Sequence, residues 1–442
     1  MEHTIDLPDL SVHYAKPLRE ALQKHGLWTH HQAGARRWAI GCVSLEVTQR
    51  CNLDCSLCYL SEHSESIADY PLTELMRRID LIAAQYGPNT DIQISGGDPT
   101  LRPLPDLIAI VQYIRQRGMR CSLFTNGILA TRSMLSVLAQ AGLSDVAFHV
   151  DLTQERAGYA TESDLNSIRL EYIERARGLG ISVMFNTTIF QDNLHDVPML
   201  AKFFAQHSDL VRLVSFQMQA ATGRGVLGQR VDAITQQNVM KLIEQGAGTS
   251  LNFDALIGGH PSCNRYATAI TLGRGKFQRN HDLFRDGSKI ATIMRETSDI
   301  TIGRTKPLAT AWQVIRAILS RPRTARVGLQ VAARWLWHAA PDLPRALGGV
   351  GKISFFIHNF MDASELDQER IETCVFMAAS AIGPIPMCEF NARRDAFLLQ
   401  PSEGSLAPQE LARVYPIKFL KGKSRRIAMI ERSKNKMQES QQ

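Results

Sequence analysis

The chain has 442 residues, 44% of them hydrophobic, which is enough for one large domain with an extension or for two domains. Its formal net charge of +7 is modest for this length, so charge alone does not indicate a nucleic-acid-binding protein. The first residues lack the basic start and apolar run of a signal peptide, and no apolar stretch reaches transmembrane length, so we expect a cytoplasmic protein. In that setting its eight cysteines are better explained as metal ligands or buried thiols than as disulfides.

The first 225 residues include a long alternation of predicted strands and helices of crossover length. The strands are predicted at 43–47, 91–95, 120–124, 145–150, 182–189 and 211–218. The helices between them are predicted at 71–84, 104–117, 133–141, 165–179 and 197–206. This alternation predicts parallel β/α units, and six of them form a partial (β/α)6 barrel, a TIM-like fold of the α/β class. Such barrels carry their chemistry at the C-terminal ends of the strands.

Three cysteines follow the first predicted strand, in the sequence CNLDCSLCYL. Cys51, Cys55 and Cys58 have the spacing C-x3-C-x2-C. A [4Fe–4S] cluster is normally held by four thiolates, so three thiolates leave one iron open to a small molecule. Zinc is the alternative, but it needs a fourth Cys or His ligand, and His63 is the next candidate along the chain. We therefore predict that the triplet holds an iron–sulfur cluster.

A glycine turn follows the second predicted strand. It has the sequence Gly96-Gly97-Asp98-Pro99. Glycines without a Cβ let the backbone come close to a ligand, and free carbonyls and amides can then bind that ligand. By itself the pattern fits an ordinary tight turn equally well. Its place after a strand, one β/α unit beyond the cysteines, favours a cofactor-binding turn.

Together, the triplet and the turn resemble the radical S-adenosylmethionine (SAM) superfamily, whose GGE motif has Glu where this chain has Asp98. The resemblance implies that the open iron of a [4Fe–4S] cluster chelates the methionine end of SAM, with Gly96, Gly97, Asp98 and Pro99 orienting it. It also implies that one electron breaks a C–S bond of SAM and releases a 5'-deoxyadenosyl radical. A reducing partner of the flavodoxin or ferredoxin kind is expected to supply that electron.

Polar residues near the later strand ends are weaker candidates for cofactor contacts. Asp151 is placed either to accept hydrogen bonds from a ribose diol or to cap the next turn. His149 shares its strand face and is either a structural histidine or a proton donor. On the next strand, Asn186 and Thr188 share a face and are expected to reach the SAM nucleoside.

A C-terminal block at 354–394 resembles radical SAM enzymes that alkylate unactivated carbons, namely the archaeal tetraether lipid synthases and the methylases of the methanopterin pathway. The resemblance covers 43–225 and this block. Two departures matter. The chain lacks the additional N-terminal cysteine pairs of some of those enzymes, and Met377 stands where a histidine would have offered a ligand.

Three cysteines of the C-terminal third are candidates for a second iron–sulfur cluster. Cys263, Cys374 and Cys388 are far apart in the sequence and are either auxiliary metal ligands or buried small apolar residues. The remaining two cysteines, Cys42 and Cys121, flank or lie within predicted strands, so we expect them in the core.

Residues 306–340 combine tryptophans with charged side chains that are all basic. The basic side chains are Lys306, Arg316, Arg321, Arg323, Arg326 and Arg334. Apolar residues and Trp312, Trp335 and Trp337 recur at helical spacing, and Pro322 is expected to divide the stretch into two helices. Such a stretch is typical of helices that contact an anionic membrane, or of a solvated face over ordinary core helices. A nucleic-acid partner is not expected, because no aromatic strand platform is present.

These patterns predict four segments and one class of chemistry. The segments are an N-terminal helical segment at 1–40, the barrel at 41–225, a mixed, largely helical extension at 226–405 and a basic tail at 406–442. The leading hypothesis is a radical SAM enzyme that functionalises an unactivated C–H bond of a small or lipid-like substrate, by methylation or C–C coupling. The alternatives are a maturase that modifies a peptide or RNA, and a non-catalytic metal-binding protein at a membrane surface.

Overall fold

The computed structural model describes residues 18–28, 41–61, 64, 67–227, 234–297, 300 and 307–398. The basic tail, most of the N-terminal segment, His63 and Lys306 lie outside these residues. The strands, β1 to β11, span Cys42–Thr48, Asp91–Gly96, Arg120–Thr125, Asp145–His149, Ser182–Ile189, Val211–Met218, Asn264–Leu272, Arg279–Asp282, Val350–Asn359, Phe376–Ser380 and Gly383–Pro386. The helices, α1 to α13, span Leu18–Lys24, Leu72–Tyr86, Leu104–Gln116, Arg132–Ala141, Asn166–Ala176, Val197–Gln206, Gln236–Ala247, Gly287–Glu296, Pro307–Leu319, Pro322–Ala339, Gln368–Glu372, Met387–Ala392 and Arg394–Leu398.

The predicted β/α barrel is confirmed. Strands β1 to β6 pair in parallel in chain order, and helices α2 to α6 form the crossovers between them. Each of the six strands lies within two residues of its predicted bounds. Parallel strands need long crossover connections, and this requirement is why the alternation of apolar runs and amphipathic helices fixes the topology.

The C-terminal extension adds strands to both flanks of the same sheet. Strand β9 pairs in parallel with β6, and β10 pairs in parallel with β1, which gives eight parallel strands. Strands β7, β8 and β11 pair antiparallel at the two edges. The ring of Phe356 on β9 lies 5.6 Å from the ring of Phe376 on β10, so the sheet is rolled until its two flanks meet. The extension is mixed, as predicted, and it is also part of the barrel wall.

Apolar side chains of the crossover helices pack against the outer face of the barrel strands. On α2, Leu75, Ile79 and Ile82 are fully buried at helical spacing and join one continuous core with the strands. Cys42 and Cys121 are also buried, 5% and 1% exposed, which confirms that both belong to the core. This packing fixes the strands, so their C-terminal ends lie at constant positions around the barrel mouth.

Candidate functional site

The cysteine loop begins where β1 ends, and the glycine turn after β2 holds its first residues. The Gly97 amide donates to the Thr48 carbonyl at 2.9 Å, and the Asp98 amide donates to the Arg50 carbonyl at 2.8 Å. The hydroxyl of Tyr59, next to Cys58, donates to the Gly96 carbonyl at 2.6 Å. These bonds join the loop and the turn into one unit.

Both glycines are required because the backbone of the cysteine loop occupies the space of a side chain. Gly96 has a φ of +127°, and a Cβ there would lie 1.9 Å from the Thr48 carbonyl oxygen. A Cβ on Gly97 would lie 2.1 Å from the Arg50 carbonyl oxygen. The prediction that the amides and carbonyls of the two glycines are free for a ligand is wrong for the Gly97 amide and the Gly96 carbonyl, which are bonded within the protein. That the turn contacts SAM stays a prediction.

Replacement of Gly96 by alanine is expected to destabilise the protein by about 2 kcal/mol or more, because the clash is with rigid backbone and the φ is unfavourable. Denaturant unfolding of the apoprotein measures this loss. Gly158→Ala is the matched control: Gly158 has a φ of +87° but open space where its Cβ would be. Equal losses in the two variants would show that the packing of the loop against the turn contributes nothing.

The Asp98 carboxylate connects the turn after β2 with the end of β3. It is fully buried and accepts hydrogen bonds from the Thr100 amide at 2.9 Å, the Thr125 hydroxyl at 2.8 Å and the Asn126 amide at 2.8 Å. The Asn126 side chain then donates to the side-chain oxygen of Asn52 in the cysteine loop at 2.6 Å. Because its oxygens are occupied by the protein, Asp98 acts in this structure as a positioning residue.

The ends of β4 and β6 also contact the cysteine loop. The Ser56 amide donates to the Thr153 carbonyl, just beyond β4, at 2.9 Å. Beyond β6, the Gly225 amide donates to the Cys58 carbonyl at 3.1 Å, and the Arg224 guanidinium bonds Asp54 at 2.9 Å. The loop is thus held by the segments that follow β2, β3, β4 and β6.

A buried ion pair ties the C-terminal extension to the same loop. The Arg394 guanidinium donates to both carboxylate oxygens of Glu46 on β1, at 2.6 and 2.8 Å, and both side chains are at most 3% exposed. It also lies over the Tyr59 ring, 4.6 Å from the centroid. Arg394 was not predicted from the sequence, in which its only signal is its place at the end of the C-terminal block.

The three thiols of the loop are close enough to affect one another. Burial raises the pKa of Cys55 well above its ordinary value, and Cys58, Asp151 and Cys51 raise it further. Burial also raises the pKa of Cys58, although the charges of Arg224 and Arg394 lower it. No disulfide forms among the eight cysteines, all of which are described. The chemistry of this donor set, three thiols on one anchored loop, fits a thiolate-bound group.

A single metal ion and an iron–sulfur cluster set different distances between the thiolates that bind them. In the described part of the chain, no group of three or more His, Cys, Asp or Glu side chains has an arrangement that could hold a metal ion. A tetrahedral zinc ion draws its sulfur ligands to within roughly 4 Å of one another. A [4Fe–4S] cube binds its thiolates through different irons and therefore accepts sulfurs that lie further apart.

Asp151, which is fully buried, and His149, whose side chain is 33% exposed, form a pair at the end of β4. The Asp151 carboxylate bonds the His149 ring at 2.6 Å and accepts the Thr188 amide at 2.7 Å and the Thr153 amide at 3.0 Å. Burial lowers the pKa of His149, but Asp151 more than offsets this and the net pKa is raised. Burial raises the pKa of Asp151, but these partners lower it to about 2. Of the two predicted roles, capping of the next turn is present in the structure.

In a ¹⁵N NMR titration of the apoprotein, we expect His149 to titrate above its ordinary pKa. In Asp151→Asn the pKa should fall below that value, because burial remains without the carboxylate. The contribution of His149 to the free energy of unfolding is lost as the pH rises through the pKa of the folded state. The contribution of Asp151 is lost as the pH falls from about 3.9 towards about 2. An unshifted His149 in Asp151→Asn would contradict the pairing.

The other predicted contacts lie beside this pair or in the glycine turn. Asn186 is the register partner of His149 across β4 and β5, and its amide donates to the Gln217 side chain on β6 at 3.4 Å. Pro99 is buried and begins a 3-10 turn over Pro99–Leu101. Asn186 thus lies level with the end of β4, and its contact with a nucleoside stays a prediction.

The C-terminal cysteines form a second group, apart from the loop. Cys374 is buried, which raises its pKa, and Cys388 and Cys263 raise it further. The Cys263 sulfur accepts from the Arg370 guanidinium at 3.3 Å, and the Cys388 sulfur accepts from the Met361 amide at 3.4 Å. Three residues from distant parts of the sequence therefore meet in one place.

The fold and the site together define a class of protein. It is a β/α barrel in which a loop at the C-terminal ends of the strands carries three cysteines. Residues 45–204 match the model of the radical SAM superfamily, which identifies a radical SAM domain in this part of the chain. The family uses a [4Fe–4S] cluster and SAM, which confirms the two predicted cofactors at the level of the family.

Several enzymes of different reactions are similar to the chain. It is 29% identical over 210 residues to the 7,8-dihydro-6-hydroxymethylpterin dimethyltransferase of Methanocaldococcus jannaschii, covering 46% of this chain and 41% of that enzyme. It is 31% identical over 190 residues to the Fe-coproporphyrin III synthase of Methanosarcina barkeri, with 41% and 45% covered. It is 30% identical over 158 residues to the PqqA peptide cyclase of Bradyrhizobium diazoefficiens, with 35% and 41% covered. The chain thus spans less than half the length of each.

A solved structure, Streptococcus suis SuiB bound to precursor peptide SuiA, also aligns with the chain. The identity is 16%, the alignment covers 51% of this chain and 48% of that one, and the TM-score is 0.37. This similarity is too distant to bear on function.

Proposed function

We propose that the protein is a radical SAM enzyme in which Cys51, Cys55 and Cys58 hold a [4Fe–4S] cluster. SAM binds beside it at the glycine turn, Gly96 to Pro99, with Asp151 and Asn186 near its nucleoside. The observation that carries the proposal is the convergence of four strand ends on the cysteine loop. A loop with only a structural role would not need these contacts at the end of the barrel where such folds carry their chemistry.

The residues of the chain prepare this site in three ways. Gly96 and Gly97 let the loop lie directly on the turn, which fixes the spacing of the thiols. The buried Glu46–Arg394 pair and Tyr59 close the loop from the side of the C-terminal extension. The three thiols are only partly exposed, which limits the access of water to a reactive radical. When bound, the cluster and SAM supply a radical that removes hydrogen from a C–H bond.

For the reaction, we propose functionalisation of an unactivated C–H bond by methylation or C–C coupling. The similarity to a pterin dimethyltransferase supports the methyl-transfer form. A lipid-like substrate is supported by the resemblance of the C-terminal block and by the basic helices that carry tryptophan. The second candidate is modification of a peptide, which the similarity to PqqA peptide cyclases favours.

Mass spectrometry of reactions with deuterated substrates separates these candidates. Reconstituted protein is incubated with SAM, a reductant of the flavodoxin or ferredoxin kind and either deuterated membrane lipid or a deuterated peptide. The leading proposal expects deuterium in 5'-deoxyadenosine and a mass gain or coupled product only with lipid. Deuterium transfer only from peptide would replace it with the second candidate.

We further propose that Cys263, Cys374 and Cys388 hold a second iron–sulfur centre. Their mutual proximity supports this, and the alternative is three buried apolar thiols. Iron content decides between the two: two clusters correspond to about eight irons per chain and one to about four. Cys374→Ala should lower the count by about four. An unchanged count would leave the three cysteines as part of the core.

A further inference from the structure

Helices α9 and α10 turn their large apolar side chains outward. On α10, Leu329, Leu336 and Trp337 are 66%, 49% and 80% exposed, and their spacing of seven and eight residues places them on one helix face. On α9, Trp312 and Leu319 are 65% and 56% exposed, again seven residues apart. We call these five residues the outer apolar face. Contiguous exposed patches of this kind mark interaction sites.

Arginines surround the outer apolar face. All charged side chains between 307 and 339 are arginines, apart from the titratable His338. Arg334 bonds Asp286 at 2.8 Å and Arg323 lies 3.5 Å from Glu296, so these two are partly compensated by α8 and the residue before it. Arg316 follows Trp312 by one turn and Arg326 precedes Leu329 by one turn, and both are exposed. The face is therefore apolar in its centre and positive at its margin.

We propose that the outer apolar face docks on an anionic lipid bilayer, with α9 and α10 lying in the plane of its surface. Interfacial helices typically combine tryptophan and leucine with arginine. Their apolar side enters the boundary of the acyl region, and their cations contact anionic headgroups. Among the described helices, none combines the length and the hydrophobicity of a membrane span. The proposal does not depend on whether the substrate is a lipid.

The positive charge around this face favours an anionic bilayer over two other occupants, a second copy of the chain and the basic C-terminal tail. A two-fold dimer would bring each arginine margin against the same margin of a second copy, and such like-charge contacts oppose association. The tail at 418–436 has eight basic residues and one acid, so it does not complement the face either. An anionic membrane is complementary in both respects, because its acyl region is apolar and its headgroups are negatively charged.

The position of the face determines which side of the barrel meets the membrane. From α10 the chain continues through a 3-10 segment over Ala340–Gly348, where Leu347 is 96% exposed, to Val350 at the start of β9, which is 63% exposed. That segment contains Asp342, which is paired with Arg345 at 2.8 Å and lies 3.3 Å from His281. Because β9 is parallel to β6, its start lies at the end of the barrel opposite the cysteine loop. The contact anchors the protein and leaves the barrel mouth facing away from this end.

Vesicle flotation of the full chain tests the proposal. We expect the protein to float with vesicles that contain phosphatidylglycerol at low salt, to float less at high salt, and to remain in solution with phosphatidylcholine alone. In Leu329→Glu/Trp337→Glu, binding should fall at least about tenfold, since two exposed apolar groups that would enter the bilayer are replaced by charges. Leu170→Glu/Ile382→Glu is the control: it makes the same charge change at side chains 40% and 46% exposed elsewhere, and should bind nearly as well.

Three results of these experiments would overturn the proposal of a membrane contact. Failure of the unaltered chain to float with anionic vesicles at low salt removes it, and retained flotation of Leu329→Glu/Trp337→Glu assigns the contact to another part of the chain. If light scattering shows a dimer that becomes monomeric in that variant, and no vesicle binding occurs, the occupant is a second copy. Thermal unfolding and iron content, which should match those of the unaltered chain, verify that both variants fold.

Discussion

Replacement of Cys55 by alanine is expected to leave anaerobically reconstituted protein with about four fewer irons per chain and without the broad absorbance of an iron–sulfur cluster. The reason is that Cys55 is the central thiol of the loop and interacts with both Cys51 and Cys58. Two remaining thiolates cannot hold a cube that already has one open iron. Reductive cleavage of SAM should fall to background in the same variant.

The matched control for this experiment removes a thiol from the core. Cys121 is 1% exposed and lies on β3, away from the loop, so Cys121→Ala should retain its iron and its SAM cleavage. Full SAM cleavage by Cys55→Ala would contradict the cluster assignment. Loss of iron in both variants would indicate a general loss of structure instead.

Replacement of Arg394 by methionine is expected to destabilise the apoprotein by about 3–5 kcal/mol, because it leaves the Glu46 carboxylate buried without its cation. Glu46 is 3% exposed and, besides its bonds to Arg394, accepts a hydrogen bond from the Gln49 side chain at 2.7 Å. The variant should also lose part of its iron, because Arg394 packs on Tyr59 beside the cysteine loop. Denaturant unfolding and iron analysis measure the two effects.

Two further variants separate the buried pair from general damage. Glu46→Gln/Arg394→Met removes both charges and should recover most of the lost stability. Arg393 is adjacent in sequence, but its side chain is 49% exposed and its ion pair with Glu389 spans 3.3 Å, so Arg393→Met should cost less than about 1 kcal/mol. If Arg393→Met and Arg394→Met lose equal stability, the buried pair has no special role.

The parts of the fold that local patterns encode could be predicted from the sequence. Each barrel strand is a short apolar run that ends in a turn, and each crossover helix has its apolar residues at helical spacing. The cysteine triplet and the glycine turn were predicted because both follow such strands directly. The break between α9 and α10 at Pro322 was predicted from the chemistry of proline alone.

Contacts between distant parts of the chain could not be predicted in this way. Glu46 and Arg394 are separated by 348 residues, and no local spacing pairs them. The same holds for the pairing of β9 with β6 and of β10 with β1, which depends on how the whole sheet rolls. The group formed by Cys263, Cys374 and Cys388 was predicted from residue type and resemblance, not from any pattern of pairing.

The two aspartates at strand ends share a local sequence pattern. That pattern alone did not decide whether each carboxylate binds a ligand or caps its own turn. Asp98 precedes Thr100 and Asp151 precedes Thr153, and in each case the carboxylate accepts from the backbone amide of that threonine. Asp-x-Thr is therefore a turn pattern here, since aspartate readily bonds the backbone two residues on. A carboxylate at a strand end can face either a ligand or its own turn, and only the structure distinguishes the two.

The most direct measurement of the central claim is detection of 5'-deoxyadenosine by mass spectrometry after the unaltered, anaerobically reconstituted chain is mixed with SAM and dithionite. The account predicts that the product forms, that it requires the reductant and that its amount follows the iron content across preparations. Protein that binds about four or more irons per chain but yields no 5'-deoxyadenosine would contradict it.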